Sequence, residues 1–228
     1  MRNCIAHDPH KNTKQGKQAN VTDPQWLEWG RALQLIAQNG LAYSQNAFDI
    51  ERFEQVRRIA TEILAQHSDI DSAQIETLFT AEEGYATPKV DVRAALFQGD
   101  KILLVREMLD NGRWTLPGGW ADMTDSPREA VEREVIEESG YEARAVKLAA
   151  VYDRNRRGHP FFYFSIYKLF FICEITGGSP IGPNIETGGV EFFSEDNLPE
   201  LSISRVTPEE IHMLFAHYRD PSLPTEFD

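Results

Sequence analysis

Three glutamates near the middle of the chain have the spacing of a single helix face. Glu137 and Glu138 follow Glu134 by three and four residues, and residues at these intervals are neighbours on an α-helix. Like charges placed this way cost an isolated helix roughly 0.2–0.5 kcal/mol for each pair. Hard divalent ions such as Mg²⁺ and Mn²⁺ prefer carboxylate oxygens and would offset the repulsion. The spacing therefore predicts a helix that binds a divalent cation, and a solvated acidic face is the alternative.

These glutamates belong to a longer pattern with fixed intervals. In order, the pattern contains Gly119, Asp125, Arg133, Glu134, Glu137, Glu138 and Gly140. It resembles the signature box of the Nudix hydrolases, a family that cleaves a nucleoside diphosphate linked to another group. Two positions depart from that box: Asp125, where the family has Glu, and Tyr141, where the family has an aliphatic residue. Neither departure affects the Arg-Glu and Glu-Glu pairs, so the resemblance implies a metal-dependent hydrolase.

The resemblance also implies which groups bind the metal ion, expected to be Mg²⁺ or Mn²⁺. Glu134, Glu137 and Glu138 would be the side-chain ligands. The carbonyl group of Gly119 would complete the coordination shell, and Gly118 would let the backbone approach closely. A bound metal ion neutralises phosphate charge and acidifies a water molecule, which is what diphosphate hydrolysis requires.

Two other residues of the box are expected to act around these ligands. Asp125 would lie in the outer shell and reach the metal through a water molecule. Arg133 would orient Glu134 through a charged hydrogen bond. A simple ion pair of the arginine with Glu129 or Glu137 is the alternative. Arg133 and Glu137 are therefore candidate catalytic residues.

A further carboxylate is needed to activate or position the attacking water. Residues 185–193 resemble a late segment of the family, in which a mobile loop carries a Glu and leads into a strand. Glu186, close to Gly188 and Gly189, is the candidate base or extra metal ligand. Glu191 is the rival, although its position in a strand-like run favours a structural role.

Candidate substrate-binding residues lie outside the box. Arg154 and Arg156 belong to a basic loop in an acidic chain, and arginine can bind phosphate through two hydrogen bonds. Solvated loop charges are the alternative for both. Trp29 is either a core residue or a platform for the nucleobase that reaches across a dimer. The aromatic run 161–164 is expected to be chiefly core, and His159 is expected to serve the turn.

The composition limits the class of partner and the compartment. A net charge of −13 disfavours nucleic-acid binding, which rewards clustered Lys and Arg, but permits a small anionic substrate at a metal site. No run of about 18 apolar residues occurs, so we expect no membrane span. No apolar stretch follows the basic N-terminus, which disfavours a secretory signal. Cys4 and Cys173 lie in unlike contexts, so we expect no disulfide and predict a cytoplasmic protein.

The N-terminal part predicts a small helical module over residues 21–82, after a flexible tail at residues 1–20. Apolar residues at helical spacing are Trp26, Trp29, Leu33 and Ile36, then Phe53, Val56, Ala60, Ile63 and Leu64. The first helix is expected to end at Gly40, the second to begin near Asp49. A module of about 60 residues is marginally stable by itself. We therefore expect it to bury these stripes against the rest of the chain or in a homodimer.

The rest of the chain predicts an α/β domain over residues 90–228, after a linker at residues 83–89. Strand-like runs occupy residues 90–97, 101–107, 145–152, 162–175 and 189–193. A turn between the first two runs predicts a hairpin. The box supplies a helix near residues 126–139, and a capping-box motif at Thr207 opens a final helix. The intermixed elements predict a mixed sheet, and the resemblance implies the Nudix α/β/α sandwich.

The helical module carries a second resemblance, through residues 26–29, 42–44 and 49–52. These motifs are similar to the N-terminal extension of a bacterial Nudix subgroup described as hydrolases of ADP-ribose, CDP-choline or related compounds. The expected reaction converts a nucleoside diphosphate linked to a group X, including ADP-sugars, into a nucleoside monophosphate and phospho-X. A non-catalytic nucleotide sensor and a phosphohydrolase of RNA ends are the alternatives. The retained glutamates disfavour the sensor, and the acidity disfavours the RNA enzyme.

Overall fold

The computed structural model describes residues 24–182 and 187–228, so the tail predicted over residues 1–20 lies outside it. The helices are α1 (Gln25–Tyr43), α2 (Ala47–Gln66), α3 (Ser72–Thr80), α4 (Pro127–Ser139) and α5 (Pro208–Arg219). The strands are β1 (Lys89–Gln98), β2 (Lys101–Glu107), β3 (Arg113–Thr115), β4 (Tyr141–Asp153), β5 (Ile166–Gly178), β6 (Thr187–Ser194) and β7 (Glu226–Phe227). Within the described residues, three helices precede the strand-rich part of the chain, in agreement with the predicted helical module.

The second and third helices of the N-terminal module begin at polar residues whose side chains accept hydrogen bonds from free N–H groups. The side chain of Asn46 accepts a hydrogen bond from the backbone N–H of Phe48, which starts α2 two residues before the predicted position. Asp71 does the same for Ala73 at the start of α3. The first helix passes through Gly40 and ends at Tyr43.

The face of α1 that packs inward agrees in part with the predicted one, since Trp26 and Leu33 of the predicted stripe pack against the helical cluster. The buried residues of α1 are Leu27, Gly30, Gln34, Ala37 and Gln38. Trp29 and Ile36 of the predicted stripe are instead 59% and 54% exposed. A Cβ atom at Gly30 would lie 2.7 Å from Cδ2 of Leu64, so the absence of a side chain lets α2 pack closely at this point. The interpretation of Trp29 as a core residue is therefore wrong for a single chain.

The aromatic run at residues 161–164 joins the helical module to the rest of the protein. Tyr163 is buried in a cluster with Leu27 of α1, Leu64 of α2 and Phe79 of α3, and Phe161 packs against the same cluster. Arg31 of α1 donates a hydrogen bond of 2.6 Å to the carbonyl oxygen of Phe162. The prediction that these rings are chiefly core is confirmed for Tyr163, while its neighbours are half-buried.

One mixed sheet contains the seven strands, in the order β3-β2-β1-β5-β4-β7, and β6 pairs with β2 along its length. The first two strands form the predicted antiparallel hairpin, whose turn contains Gly99 with a positive φ. The neighbouring β1 and β5 run parallel, and their register places Asp91 opposite Lys168. Two charged residues from distant parts of the chain therefore meet at the centre of the sheet.

Helices cover both faces of this sheet. Val92 and Leu96 of β1 share one core with Val131 of α4, whereas Ala95 of the same strand shares another core with Leu214 of α5. Successive residues of a strand point to opposite faces, so β1 contributes to both cores. The layers are helix, sheet and helix, which confirms the predicted α/β/α arrangement.

Two features of the sheet were not predicted correctly. The strand predicted over residues 162–175 begins at Ile166, because the preceding aromatic rings pack on the helical module instead. The short strands β3 and β7 were not predicted at all. Across the described residues, every helix is too short or too polar to cross a membrane.

Candidate active site

The helix that carries the three glutamates has well-defined ends. Ser126 and Glu129 form a capping box at its start, and Gly140 ends it with a φ of 76°. Ala130, Val131 and Val135 are buried against the sheet. The box glutamates are therefore directed away from that apolar side, as the sequence predicts.

The carboxylate of Glu138 is the most deeply placed of the three. Its Oε2 atom accepts a hydrogen bond of 2.9 Å from the backbone N–H of Gly118. Burial raises the pKa of Glu138 to about 7, against the opposing charge of Arg93, and the nearby charge of Glu134 adds to the rise. Burial likewise raises the pKa of Glu134 above its ordinary value. Burial therefore disfavours the charged form of both carboxylates.

The loop opposite these glutamates is fixed by backbone hydrogen bonds to β1. The N–H of Val92 donates to the carbonyl of Gly119 at 2.9 Å, and the N–H of Ala121 donates to Val90 at 3.0 Å. A side chain at Gly118, which has a φ of 144°, would collide with the backbone of β1. The sequence therefore requires glycine there, and the loop lies directly against the box helix.

Arg133 connects the outer carboxylates of the site. Its guanidinium donates to Asp125 at 3.0 Å, to Glu134 at 3.0 Å and to Glu137 at 2.9 Å. The arrangement includes both the expected orientation of Glu134 and the alternative ion pair with Glu137. Glu129 caps the helix instead of pairing with this arginine. Asp125 contacts Arg133 directly, which gives it a role in positioning the arginine.

The donor set suits a hard divalent cation, although the side chains do not yet surround a single point. Within residues 24–182 and 187–228, no three acidic, histidine or cysteine side chains are arranged as a metal site. The reason is visible in the contacts of Arg133, which hold Glu134 and Glu137. Burial, and to a smaller extent the charge of Glu134, raises the pKa of Glu138, and a bound cation would favour its charged form. Gly119 keeps a second lone pair on its carbonyl oxygen, so it too fits the role of ligand.

A cleft of about 350 Å³ lies beside Glu138 and the loop at residues 118–120. Its lining cations are Arg93, Arg154, Lys168 and Arg205, and its lining carboxylates are Asp91, Glu107 and Glu138. Apart from the box glutamate, cations therefore outnumber carboxylates in the lining of a chain whose net charge is −13. Such a cleft can accept an anionic ligand such as a diphosphate.

The floor of the cleft is a buried ion cluster that the sequence analysis missed. Asp91 accepts hydrogen bonds from Arg93 at 2.8 Å and from Lys168 at 2.6 Å. Burial alone would raise the pKa of Asp91, but the two cations outweigh it and hold that pKa below its ordinary value. The available signal was the presence of charged residues at alternate positions of an apolar strand run.

The two arginines proposed to bind substrate lie in different environments. Arg154 lines the cleft, donates to the carbonyl groups of Pro160 and Ser204, and lies 5.2 Å from the centre of the Phe162 ring. Arg156 is outside the cleft lining, with a side chain that is 72% exposed and a 3.5 Å ion pair to Asp153. The structure therefore brings the first arginine to the site and not the second.

The remaining candidate residues are Glu186, Glu191, Trp29 and His159. Glu186 lies outside the described residues. Glu191 is exposed on β6, opposite Leu104 of β2, in the structural position that was expected. Trp29 does not line the cleft of its own chain. His159 contacts the carbonyl of Ile203 and the carboxylate of Glu210, consistent with a role in holding the turn.

Comparisons with known proteins identify the family of this chain. Residues 87–215 match the family model of the NUDIX domain, and residues 24–79 match the model described as a UDP-X-like, N-terminal oligomerisation domain. YjhB of Bacillus subtilis (strain 168) is 43% identical over 203 residues, which cover 89% of this chain and 97% of YjhB.

Two solved structures are also similar. The ADP-ribose pyrophosphatase of Streptococcus suis 89-1591 has a TM-score of 0.57 and 40% identity, covering 62% of this chain and 100% of that one. The structure of a UDP-X diphosphatase has a TM-score of 0.57 and 33% identity, covering 89% of this chain and 98% of that one. With the box, the sandwich and the N-terminal helices in place, the chain belongs to the Nudix family and is a Nudix pyrophosphatase.

Proposed function

We propose that this protein hydrolyses the diphosphate bond of a nucleoside diphosphate linked to a group X, releasing a nucleoside monophosphate and phospho-X. The similarity to an ADP-ribose pyrophosphatase and to a UDP-X diphosphatase supports this reaction class. ADP-ribose, other ADP-sugars and CDP-choline are the substrates to test first. The sensor alternative loses support, because the box carboxylates are all present and Glu138 lines the cleft.

One observation carries the proposal: the carboxylate of Glu138 is held at 2.9 Å by Gly118 at the edge of a cation-lined cleft. A diphosphate in this cleft would lie next to the box glutamates. Its own charge would be matched by Arg93, Arg154 and Arg205 along the lining. The arrangement thus combines an anion-binding surface with a cluster of carboxylates that require a cation.

We propose Mg²⁺ or Mn²⁺ as the cofactor, held by Glu134, Glu137, Glu138 and the carbonyl group of Gly119. When bound, the ion supplies charge neutralisation and an acidified water. Arg133 donates hydrogen bonds to Glu134 and Glu137 and so sets the orientation of these two carboxylates. Asp125 fixes the arginine from the other side, so a conservative change at either residue should weaken metal binding.

Proton transfer from the attacking water is assigned to Glu186 in this proposal. Its support is the position of Glu186 just before β6, a strand that pairs with β2 beside the cleft residue Glu107. Glu191 is less suited because it is exposed farther along the strand. Arg154 is proposed to contact a phosphate of the substrate. Arg156 is a weaker candidate for such a contact, because it lies outside the cleft lining.

A substrate panel tests the proposal directly. Purified protein with Mn²⁺ or Mg²⁺ should release AMP from ADP-ribose or CMP from CDP-choline, measured by chromatography of the products. Glu138→Gln should lower kcat by on the order of 10²–10³-fold, because a ligand of the proposed metal ion, which neutralises phosphate charge, is lost. Glu174→Gln, an exposed glutamate paired with Arg144, is the matched control and should keep full activity. If a broad panel of such compounds remained intact, the proposed reaction would be refuted.

We further propose that the protein is a cytoplasmic homodimer formed through the helical module. The N-terminal match is to an oligomerisation domain, and apolar residues of these helices are exposed, namely Trp29, Leu35, Ile36, Tyr43 and Ile59. The buried thiol of Cys173 is free, in keeping with a reducing compartment. Light scattering should give twice the chain mass of 26.0 kDa, and a value equal to one chain would exclude the dimer.

A further inference from the structure

An aromatic ring stands exposed at the mouth of the cleft, directly after the loop glycines. Trp120 is 48% exposed and lines the cleft, although tryptophan is the largest apolar side chain and is usually covered. Within the described residues, no other aromatic ring and no cation packs on its indole. An exposed aromatic ring inside a ligand cleft is typical of a binding contact.

The backbone around Trp120 fixes where its ring can lie. The residue forms an isolated antiparallel bridge with Asp91, flanked by the hydrogen bonds of Val92 to Gly119 and of Ala121 to Val90. In such a non-hydrogen-bonded pair the Cα atoms are only about 4.5 Å apart and the two side chains share one face. Because the side chain of Asp91 forms the cleft floor, the indole stands beside it.

A row of three side chains therefore crosses adjacent strands: Lys168 on β5, Asp91 on β1 and Trp120 on the loop segment. Two residues before the indole, Gly118 donates its N–H to Glu138. Trp120, Gly118 and Glu138 all line the same cleft, so the ring and the box carboxylate face one ligand space.

The second ring of the cleft is already engaged. Phe162 lies under the guanidinium of Arg154 at 5.2 Å and packs against Tyr163 and Phe164. Trp29 of α1 is exposed but outside the cleft. Among these rings, Trp120 is the one that combines exposure, a fixed backbone and proximity to the metal-binding carboxylates.

We infer that Trp120 is the stacking platform for the substrate's nucleobase, with the diphosphate placed over Gly118 toward Glu138. The inference rests on the proposed function, since the nucleobase is the planar aromatic part of a nucleoside diphosphate linked to X. Stacking on an aromatic ring is tolerant of base identity, because every base has a π-face. Trp120 therefore supplies affinity for the nucleoside and leaves the choice between bases to other groups.

The kinetic test compares Trp120→Leu with Trp120→Phe on the best substrate of the panel. Loss of base stacking should raise KM about 5- to 150-fold in the leucine variant. The value of kcat should stay within about twofold, because binding of ground state and transition state is weakened equally. The phenylalanine variant retains a ring and should recover most of the affinity. Met123→Ala, fully exposed on the same loop, controls for local disturbance and should leave KM unchanged.

A binding test without turnover separates this inference from the proposed function. AMP, CMP and UMP are titrated in EDTA, and quenching of tryptophan fluorescence is followed in wild type and Trp120→Phe. All three nucleotides should quench the wild type, and the variant should lose most of that signal. An unchanged KM in Trp120→Leu, or quenching that disappears in Trp29→Phe instead, would overturn the inference. If the wild type cleaved no compound, the proposed function would be refuted. The quenching result would still decide whether Trp120 binds the nucleobase.

Discussion

Two charged clusters meet in one cleft and have opposite electrostatic character. In the cluster of the box helix, burial raises the pKa of Glu138 to about 7 and also raises that of Glu134. In the neighbouring cluster on the sheet, Arg93 and Lys168 hold the pKa of Asp91 below its ordinary value, despite complete burial. In the box cluster, the cation in contact with Glu134 and Glu137 is Arg133, whereas the sheet cluster has two cations around the single carboxylate of Asp91.

The difference separates a structural ion cluster from one that is prepared for a ligand. The carboxylate of Asp91 is satisfied by protein groups alone, at 2.8 and 2.6 Å. The carboxylate of Glu138 has only the N–H of Gly118 at 2.9 Å among its described hydrogen bonds. Similar burial is therefore accompanied by opposite shifts in the pKa of the two carboxylates, and this contrast has measurable effects on stability and metal binding.

The largest expected effect concerns the stability of the sheet cluster. Asp91→Asn removes the counter-charge of two buried cations, so the free energy of unfolding should fall by about 3–5 kcal/mol. Urea denaturation with EDTA at pH 7 measures it. Glu138→Gln is the matched control, and its stability should be unchanged or higher because a desolvated charge is removed. A loss below about 1 kcal/mol in Asp91→Asn would end the contrast between the clusters.

The second prediction uses the pH dependence of metal-free protein. The pKa of a glutamate in the unfolded chain is about 4.5, but folded Glu138 keeps its proton up to about pH 7. The folded state therefore binds more protons between these values, and stability should fall as pH rises from about 5 to 7.5. The fall attributable to Glu138 should be at most about 3 kcal/mol.

The same measurement has an internal comparison. The contribution of Asp91, whose pKa is lowered, should persist through this range and be lost only in acid, as pH falls below about 4. Urea unfolding of EDTA-treated protein at pH 5 and 7.5 provides the data. Glu138→Gln should flatten the slope between the two values; an identical slope in wild type and variant would contradict the assignment.

The third prediction concerns the cation itself. At a Mn²⁺ concentration about 100 times its dissociation constant, the folded protein should gain about 2.7 kcal/mol of stability. For a chain of this length, that corresponds to a rise in Tm of roughly 5–10 °C, measured by calorimetry. EDTA should reverse it, and Glu138→Gln should show little of it. Equal stabilisation of the variant would place the ion elsewhere.

The smallest expected effect extends the comparison to the arginines of one loop. Arg156→Ala removes an exposed ion pair and should change stability by about 1 kcal/mol or less. Arg154→Ala removes a buried guanidinium bonded to two carbonyl groups, so its loss should be clearly larger and should raise KM more. Thermal unfolding and steady-state kinetics of both variants decide this. Equal effects would show that burial in the cleft does not distinguish the two residues.

The sequence was most informative where the signal is local. The box helix was predicted within one residue because Ser126, Pro127 and Gly140 are all start or stop signals near its ends. The same holds for the hairpin at Gly99 and the capping box at Thr207. The contacts of Arg133 with Glu134 and Glu137 were predicted too, the latter from helix spacing, but its contact with Asp125 was not.

The parts that the sequence did not predict depend on long-range packing. Asp91 and Lys168 are 77 residues apart and meet only through the register of two parallel strands. Trp120 follows the box glycine in sequence, but its exposure became known only from the fold. In α1, the large apolar residues indicated the inner face in part. Trp26 and Leu33 pack inward, whereas Trp29 and Ile36 are exposed, and the close fit of Gly30 against Leu64 was not visible in the sequence.

The aromatic run at residues 161–164 makes the two halves of the protein mechanically dependent. Tyr163 is embedded among the N-terminal helices, while the adjacent Phe162 forms part of the cleft wall beneath Arg154. Arg31 also donates a hydrogen bond to the carbonyl oxygen of Phe162, in the peptide that joins these two residues. A shift of those helices, whether by mutation or by pairing of subunits, is transmitted through one peptide unit to the wall that a ligand touches. Assembly and substrate affinity are therefore expected to vary together in this protein.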